Sequence, residues 1–108
     1  MVVLSRQVGE SIVIEQTPEQ WIVTVRGIVG DKARIGIESP VGSTLHTSPR
    51  SVQLSPEVKA IQISQDILVT IVDIRGDKVR IGVEAPGTCA VHRLEIFEAI
   101  RRESGGGE

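Results

Sequence analysis

Aromatic residues are almost absent from this sequence of 108 residues, which has one tryptophan, one phenylalanine and no tyrosine. RRM and cold-shock folds hold nucleic acid by stacking bases on several exposed aromatic rings. Trp21 and Phe97 alone cannot build such a platform. These two fold classes are therefore excluded.

Other chemical groups are scarce as well. A single cysteine, Cys89, excludes an internal disulfide, and two histidines without a carboxylate cluster make a poor metal site, so neither a metal nor another cofactor is expected. No apolar run approaches the roughly 18 residues of a membrane span, and the first ten residues lack the pattern of a signal peptide. The sequence therefore predicts a cytoplasmic protein without a membrane partner.

The charge is small and slightly acidic, with a formal net value of −2. Proteins that coat nucleic acids without sequence preference neutralise many phosphates at once. Such a role is disfavoured here, and any nucleic-acid site must be local.

An internal repeat organises the chain. A shift of 46 residues aligns segment 22–46 with segment 68–92, and the aligned residues include Gly30 with Gly76 and His46 with His92. We predict one compact unit of two copies, 1–50 and 51–103, followed by a flexible tail at 104–108. Because the chain supplies both copies, we expect a monomer with the form of a dimer.

Each copy has a β pattern. Runs of Val, Ile and Thr stop at Gly-Asp and then resume, which indicates a hairpin because glycine accepts positive φ. About ten strands are expected. Two long hairpins are predicted, one from 21–29 with 32–38 and one from 67–75 with 78–84. The shorter strands are predicted at 2–7, 11–15, 51–54, 60–64, 44–47 and 90–93.

A helix is predicted only after the second copy. Leu94, Phe97 and Ile100 recur there at helical spacing. Pro49 and the quick return to a β pattern at Val52 leave no room for a helix after the first copy.

Two stretches, "VVLSRQVGESIVI" and "VTIVDIRGDKVRIGVEAPGTCAVHRLEIFEAI", together resemble the carbon storage regulator family, that is, CsrA and its RsmA relatives. The resemblance covers almost the whole chain, as two copies where the family has one. It implies an interlocked pseudo-dimeric β-sandwich of two roughly five-stranded antiparallel sheets with one C-terminal helix. It also implies a translational regulator that binds GGA-containing hairpin loops in mRNA leaders or small regulatory RNAs.

The resemblance also implies an RNA site that joins the first strand of one copy to the last strand of the other. Mapped onto this sequence, the RNA-binding residues are Leu4, Ser5, Arg6, Ala85, Pro86, Val91, His92, Arg93 and Ile96.

Each copy departs from the family pattern on one side. "QLSPEV" stands where the first copy has "VLSRQV", so Pro56 is aligned with Arg6, and "TLHTSP" places Thr47 where the second copy has Arg93. We therefore predict one intact RNA site and a degenerate second site around Thr47 and Pro56.

Several residues also have simpler structural interpretations. Arg34 and Arg80 are expected on a solvated face or paired with Glu38 or Glu84, and Cys89 is expected to be a small structural residue. His46 lacks an arginine neighbour and is interpreted as structural.

A different functional class stays open: a protein-binding regulatory module of CsrA ancestry with weakened RNA binding, whose partner would be a FliW-like antagonist. An enzyme is not expected, because the sequence supplies no nucleophile with a base, no phosphate-binding glycine loop and no supported carboxylate pair.

Overall fold

The computed structural model describes residues 1–16, 19–38 and 50–99. The predicted strand at 44–47 with His46 and Thr47, the end of the predicted helix at Ile100, and the predicted tail lie outside these residues. Within them a helix, α1, covers residues 94–99. The strands of the described part are β1 (Val2–Gln7), β2 (Ser11–Gln16), β3 (Glu19–Val29), β4 (Lys32–Glu38), β5 (Arg50–Leu54), β6 (Ala60–Ser64), β7 (Ile67–Arg75), β8 (Lys78–Glu84) and β9 (Ala90–Arg93).

The strands form two antiparallel sheets that exchange strands between the copies. Sheet A has the order β1-β8-β7-β6, and sheet B has the order β5-β4-β3-β2-β9. The first strand of each copy pairs with the other copy, β1 with β8 and β5 with β4, and the last strand β9 pairs with β2 of the first copy. The predicted fold class, an interlocked sandwich with one C-terminal helix, is confirmed.

The hairpins follow from local sequence. Gly30 and Gly76, between the long strands of each copy, have φ of +61° and +62°. A side chain at positive φ is sterically costly, so glycine allows the tight turn that joins β3 to β4 and β7 to β8. The two long hairpins are thereby set in equivalent positions.

The core lies between the sheets and is built from every second residue of the strands. Each aliphatic side chain removed completely from water contributes about 1.5–3 kcal/mol relative to exposure, so this layer supplies most of the favourable free energy of folding. Trp21 belongs to it and is only 3% exposed. The core residues are Ile12, Ile14, Trp21, Val23, Val25, Ala33, Ile35, Ile37, Leu54, Ile67, Val69, Ile71, Val79, Ile81 and Val83.

The strand register corrects one alignment made from the sequence. Arg6 lies opposite Val79 in sheet A, and the equivalent position of sheet B, opposite Ala33, is occupied by Leu54. Leu54 rather than Pro56 therefore stands in the place of Arg6. The reason is burial: Leu54 is 1% exposed within the core, whereas Pro56 lies in the exposed turn after β5.

Helix α1 gives the two sheets different outer faces. Phe97 of the helix and Val13 of β2 are both buried, yet neither belongs to the main core. His92 connects them, because it lies opposite Val13 in the ladder and its ring centroid is 6.3 Å from that of Phe97. The helix therefore covers this part of sheet B. No helix of the described residues is long and apolar enough to cross a membrane.

Candidate nucleic-acid interface

Two strand edges meet at one side of the sandwich. β1 is the terminal strand of sheet A and β9 is the terminal strand of sheet B within the described part of the chain. Leu4 of β1 and Val91 of β9 are partly buried against the same core. We call the surface formed by these two strands and the residues directly after β9 the β1/β9 edge site. It brings the two predicted half-sites together.

Arg6 is the residue that joins the two edges. Its Nη1 donates to Oε1 of Glu95 at 2.8 Å and its Nη2 to Oε2 at 3.0 Å, so the guanidinium and the carboxylate form a two-pronged ion pair. Nε donates to the carbonyl oxygen of Ser5 at 2.9 Å, and Nη1 also donates to that of Ser11 at 3.2 Å. Arg6 is only 5% exposed, because alternate residues of a strand share a face and Arg6 therefore points inward on the same face of β1 as Leu4.

The two side chains of this ion pair differ strongly in their exposure to solvent. The Glu95 side chain is 57% exposed, and the hydrogen bond from Arg6, assisted by the backbone N–H of Glu95 itself, lowers the pKa of this carboxyl to about 2. The same hydrogen bond raises the pKa of Arg6, with Glu10 contributing a further favourable charge at 3.7 Å. Both groups are therefore charged at neutral pH.

Arg93 is the cation that the site presents to solvent. It lies opposite Ile12 at the free edge of sheet B, and its exposed side chain has no hydrogen bond or ion pair to any other described residue, although its charge also helps to lower the pKa of the Glu95 carboxyl. A guanidinium in this state has all its donors available for a phosphate or the edge of a base. His92, one position earlier, is instead half-buried against Phe97.

The remaining predicted residues lie around this core of the site. Ser5 is exposed on the outer face of sheet A, opposite Arg80. Ala85 and Pro86 are half-buried in the connection between β8 and β9, where the carbonyl oxygen of Pro86 accepts a hydrogen bond from the amide of Cys89 at 3.0 Å. Ile96 is 47% exposed on α1, three residues after Arg93, where the ladder ends.

A polar cleft of about 260 Å³ adjoins the buried guanidinium. Lys78 also lines this cleft, beside Gln7, to which it is paired in the ladder. Arg34 and Arg80 are both exposed, and neither forms an ion pair within the described residues, so the solvated-face interpretation is favoured for them. The cleft is lined by Ser5, Arg6, Gln7, Glu10 and Lys78.

Sequence reasoning missed Glu95 and Lys78. A signal for Glu95 existed: Arg6 occupies an inward position of an alternating strand, and a buried arginine requires a carboxylate partner. Which carboxylate serves could not be found from spacing, since 89 residues separate the two. Lys78 gave no such signal, because the repeat places Lys32 at the equivalent position of the first copy.

The end of the sandwich where β5 finishes at Leu54, which we call the second end, has a different surface. After Leu54 the chain turns, with the Ser55 amide donating to the carbonyl oxygen of Val58 at 3.0 Å. A groove of about 620 Å³ opens beside this turn, and Val29, Val58 and Val72 are exposed near it. Its lining residues are Met1, Gly30, Asp31, Pro56, Lys59, Thr70, Ile71, Val72, Asp73 and Ile74.

The model of the CsrA global regulator protein family matches the chain twice, over residues 1–46 and 57–102. The two matches contain β1 and β9, which form the edge site. Residues 47–56 lie between them, and this interval contains Thr47, β5 and Pro56. Both residues of the predicted degenerate site thus lie outside the matched ranges.

Two curated relatives are similar to the chain. The translational regulator CsrA of Nocardioides sp. is 42% identical over 54 residues, which is 50% of this chain and 61% of that protein. The translational regulator CsrA of Thermotoga maritima is 39% identical over 67 residues, which is 61% of this chain and 77% of that protein. The match thus spans less than two thirds of the Nocardioides protein. No solved structure matched the chain.

Proposed function

The chain belongs to the CsrA global regulator family, and from that premise we propose that it is an RNA-binding post-transcriptional regulator which recognises GGA-containing hairpin loops in mRNA leaders and modulates translation initiation. The observation that carries the proposal is the contact between Arg6 and Glu95, which holds the first strand against the end of the last one. The two half-sites implied by the family resemblance are thereby adjacent in a single chain.

The surface suits a looped RNA. Sequence-specific RNA binding is directed mostly at unpaired bases, whose edges are free for hydrogen bonds. Two open strand edges offer rows of backbone N–H and C=O groups, and Arg93 adds a charged donor beside them. Because the edge site has few cations, we expect it to contact only a short segment of RNA and its binding to depend modestly on salt.

We further propose that each chain binds one RNA. At the second end Leu54 fills the position of Arg6, and Pro49 is the residue that the 46-residue shift aligns with Glu95. Neither member of the ion pair is present there. A monomer with one site would bind a single hairpin in an mRNA or a small regulatory RNA and could not bridge two of them. It would act in the cytoplasm, where such RNAs are found.

A titration tests both statements. A labelled GGA hairpin and a matched hairpin with the GGA disrupted are each titrated with the protein in a gel-shift assay, and the mass of the complex is measured at saturation. We expect preferential binding of the GGA hairpin and a complex of one chain with one RNA. Equal binding of the two hairpins would contradict the function, and two equivalent RNA molecules per chain would contradict the single site.

A protein-binding regulatory module is the second candidate function. The groove of about 620 Å³ at the second end favours it, because the apolar side chains of Val29, Val58 and Val72 are exposed near it. Exposed apolar patches of this kind often mark protein contacts. Capture of a FliW-like antagonist together with no preference for the GGA hairpin would support this candidate over the first.

A further inference from the structure

The guanidinium of Arg6 is nearly saturated by the protein itself. An arginine side chain has five N–H donors. In Arg6, four hydrogen bonds engage them: one to Ser5, one to Ser11 and two to Glu95. With the side chain only 5% exposed, Arg6 could grip a base or a phosphate only by leaving Glu95.

We propose that Arg6 and Glu95 are a positioning pair for the RNA site: they fix the spacing between the free edges of β1 and β9, so that Arg93 and the backbone groups of both edges are aligned for one RNA loop. This inference rests on the proposed function. It assigns direct RNA contact to Arg93, and it assigns the alignment of the two strands to Arg6 and Glu95.

The location of the pair supports this role. β1 and β9 belong to different sheets, and no ladder hydrogen bonds connect them. Glu95 comes two residues after Arg93, so a rigid contact at Glu95 constrains the position of Arg93. Two parallel N–H···O bonds define an orientation as well as a distance, which a single charge contact does not.

The second end shows that folding does not require such a pair. There Leu54 occupies the equivalent position and is buried at 1% exposure. Replacing a buried ion pair with well-packed apolar side chains is often neutral or stabilising. Because only the β1/β9 edge site has this ion pair, the pair is expected to serve a function of that site. In our proposal this function is RNA binding.

Because Glu95 is charged, the two possible roles of Arg6 predict opposite changes in RNA affinity when Glu95 is neutralised. Its side chain is 57% exposed at the RNA site, so its negative charge repels a phosphate backbone. If Arg6 contacted RNA directly, Glu95→Gln would remove this repulsion and release the arginine, and affinity would rise. If the pair positions the strands, the same substitution loosens their spacing and affinity falls.

The experiment measures the dissociation constant of the GGA hairpin for wild type, Glu95→Gln and Arg6→Lys over a range of salt concentrations. Lysine keeps the charge but cannot form the two-pronged bond. We expect each variant to bind about tenfold more weakly, the size of one charge-assisted hydrogen bond, with an unchanged slope against salt. Should Glu95→Gln not fold, Arg6→Lys supplies the result.

Two further variants separate positioning from stability. Glu38→Gln removes an exposed carboxylate that lies 3.7 Å from Arg26, away from the site, and should leave affinity within about twofold of wild type. Leu54→Ala should destabilise the fold without weakening RNA binding while the protein is folded. A positioning role requires that Glu95→Gln lowers affinity under conditions in which Leu54→Ala, although less stable, does not.

Tighter binding by Glu95→Gln would overturn the positioning role and show that Arg6 contacts RNA. Unchanged affinity in both variants would also overturn it, because the pair would then be structural only. A wild-type protein that does not prefer the GGA hairpin would overturn the proposed function and this inference with it, whereas the other outcomes leave the function standing.

Discussion

Arg6 and Leu54 occupy equivalent positions in the two halves of the sandwich, one opposite Val79 and the other opposite Ala33. One is a buried cation bound to Glu95, and the other is part of the hydrophobic core. The same backbone position thus serves two purposes. At one end it connects two strand edges, and at the other it closes the core.

Leu54 should tolerate neither truncation nor charge. We expect Leu54→Ala to lower the free energy of unfolding by about 2–5 kcal/mol, because it leaves a cavity in the core. Leu54→Arg should cost about 3–5 kcal/mol, since it buries a cation where the repeat supplies Pro49 and no glutamate. Urea unfolding at neutral pH measures both values.

Arg6→Leu is the matched control for these variants. It installs at the first end the residue that the second end already has, and the Glu95 carboxylate left behind is mostly hydrated. We therefore expect a loss below about 2 kcal/mol, smaller than that of Leu54→Arg. Equal losses in Arg6→Leu and Leu54→Arg would contradict the view that the two ends differ in their need for charge.

Arg93 should matter for RNA binding and not for stability. Because it is exposed and forms no ion pair within the described residues, Arg93→Ala should change the free energy of unfolding by less than about 0.5 kcal/mol. Loss of its contact to RNA should weaken binding of the GGA hairpin by roughly 1–3 kcal/mol. Gel-shift titration and urea unfolding give the two quantities.

Arg34→Ala is the control for charge alone. Arg34 is also exposed and lies in β4, opposite Gln53 of β5, on the far side of the sandwich. We expect the change in RNA affinity to stay below about 0.5 kcal/mol. If Arg34→Ala and Arg93→Ala weakened binding equally, a general effect of positive charge would replace the assigned site.

The ion pair should make stability depend on acid pH. Folding lowers the pKa of Glu95 from 4.5 to about 2, chiefly through the hydrogen bond from Arg6. A carboxyl group with a lowered pKa stabilises the folded state fully above its unfolded pKa, and this contribution is lost as the pH falls through the folded value. Stability from Glu95 is thus present above pH 4.5 and disappears towards pH 2.

Comparison of wild type with Glu95→Gln isolates this effect. The difference between their free energies of unfolding should be largest near neutral pH and should shrink between pH 4.5 and about 2. Its size should remain well below that of a fully buried pair, because the Glu95 side chain is 57% exposed and solvent screens it. A difference that does not vary with pH would show that the carboxylate does not stabilise the fold through its charge.

The fold could be predicted from the sequence because its signals are local and repeated. The Gly-Asp turns at Gly30 and Gly76 and the alternating strands fix both long hairpins, and the 46-residue repeat indicates a pseudo-dimer. The exchange of β1 and β9 between copies came from the family resemblance. Local pattern alone does not determine which strand pairs with which.

The site was only partly predictable, because its details depend on register. Arg6 and Arg93 were identified as one group, and the structure places both at the β1/β9 edge site. Alternation along β1 implies that Arg6 points inward, yet its role depends on Glu95, which is distant in sequence. The alignment of Pro56 with Arg6 was wrong because it was based on the identical Leu-Ser pair in the two segments. The strand pairing, which the sequence does not show, places Leu54 at that position.

The helix present after only one copy accounts for a difference between the outer faces of the sheets. Val13, next to α1 on sheet B, is 1% exposed, and its equivalent in sheet A is Gln62, opposite Leu68, which is exposed. The side chain of Gln62 donates to the carbonyl oxygen of Gln65 at 2.9 Å. The sequence thus places an apolar residue where the helix covers the sheet and a polar one at the equivalent position.

Exchanging these two residue types should have unequal effects. Val13→Gln should lower the free energy of unfolding by about 2–4 kcal/mol, because an apolar contact is lost and an amide is buried without a partner. Gln62→Val should change it by less than about 0.5 kcal/mol, since that position faces water. Urea unfolding followed by circular dichroism measures both, and similar losses in the two variants would mean that α1 does not shield sheet B at Val13.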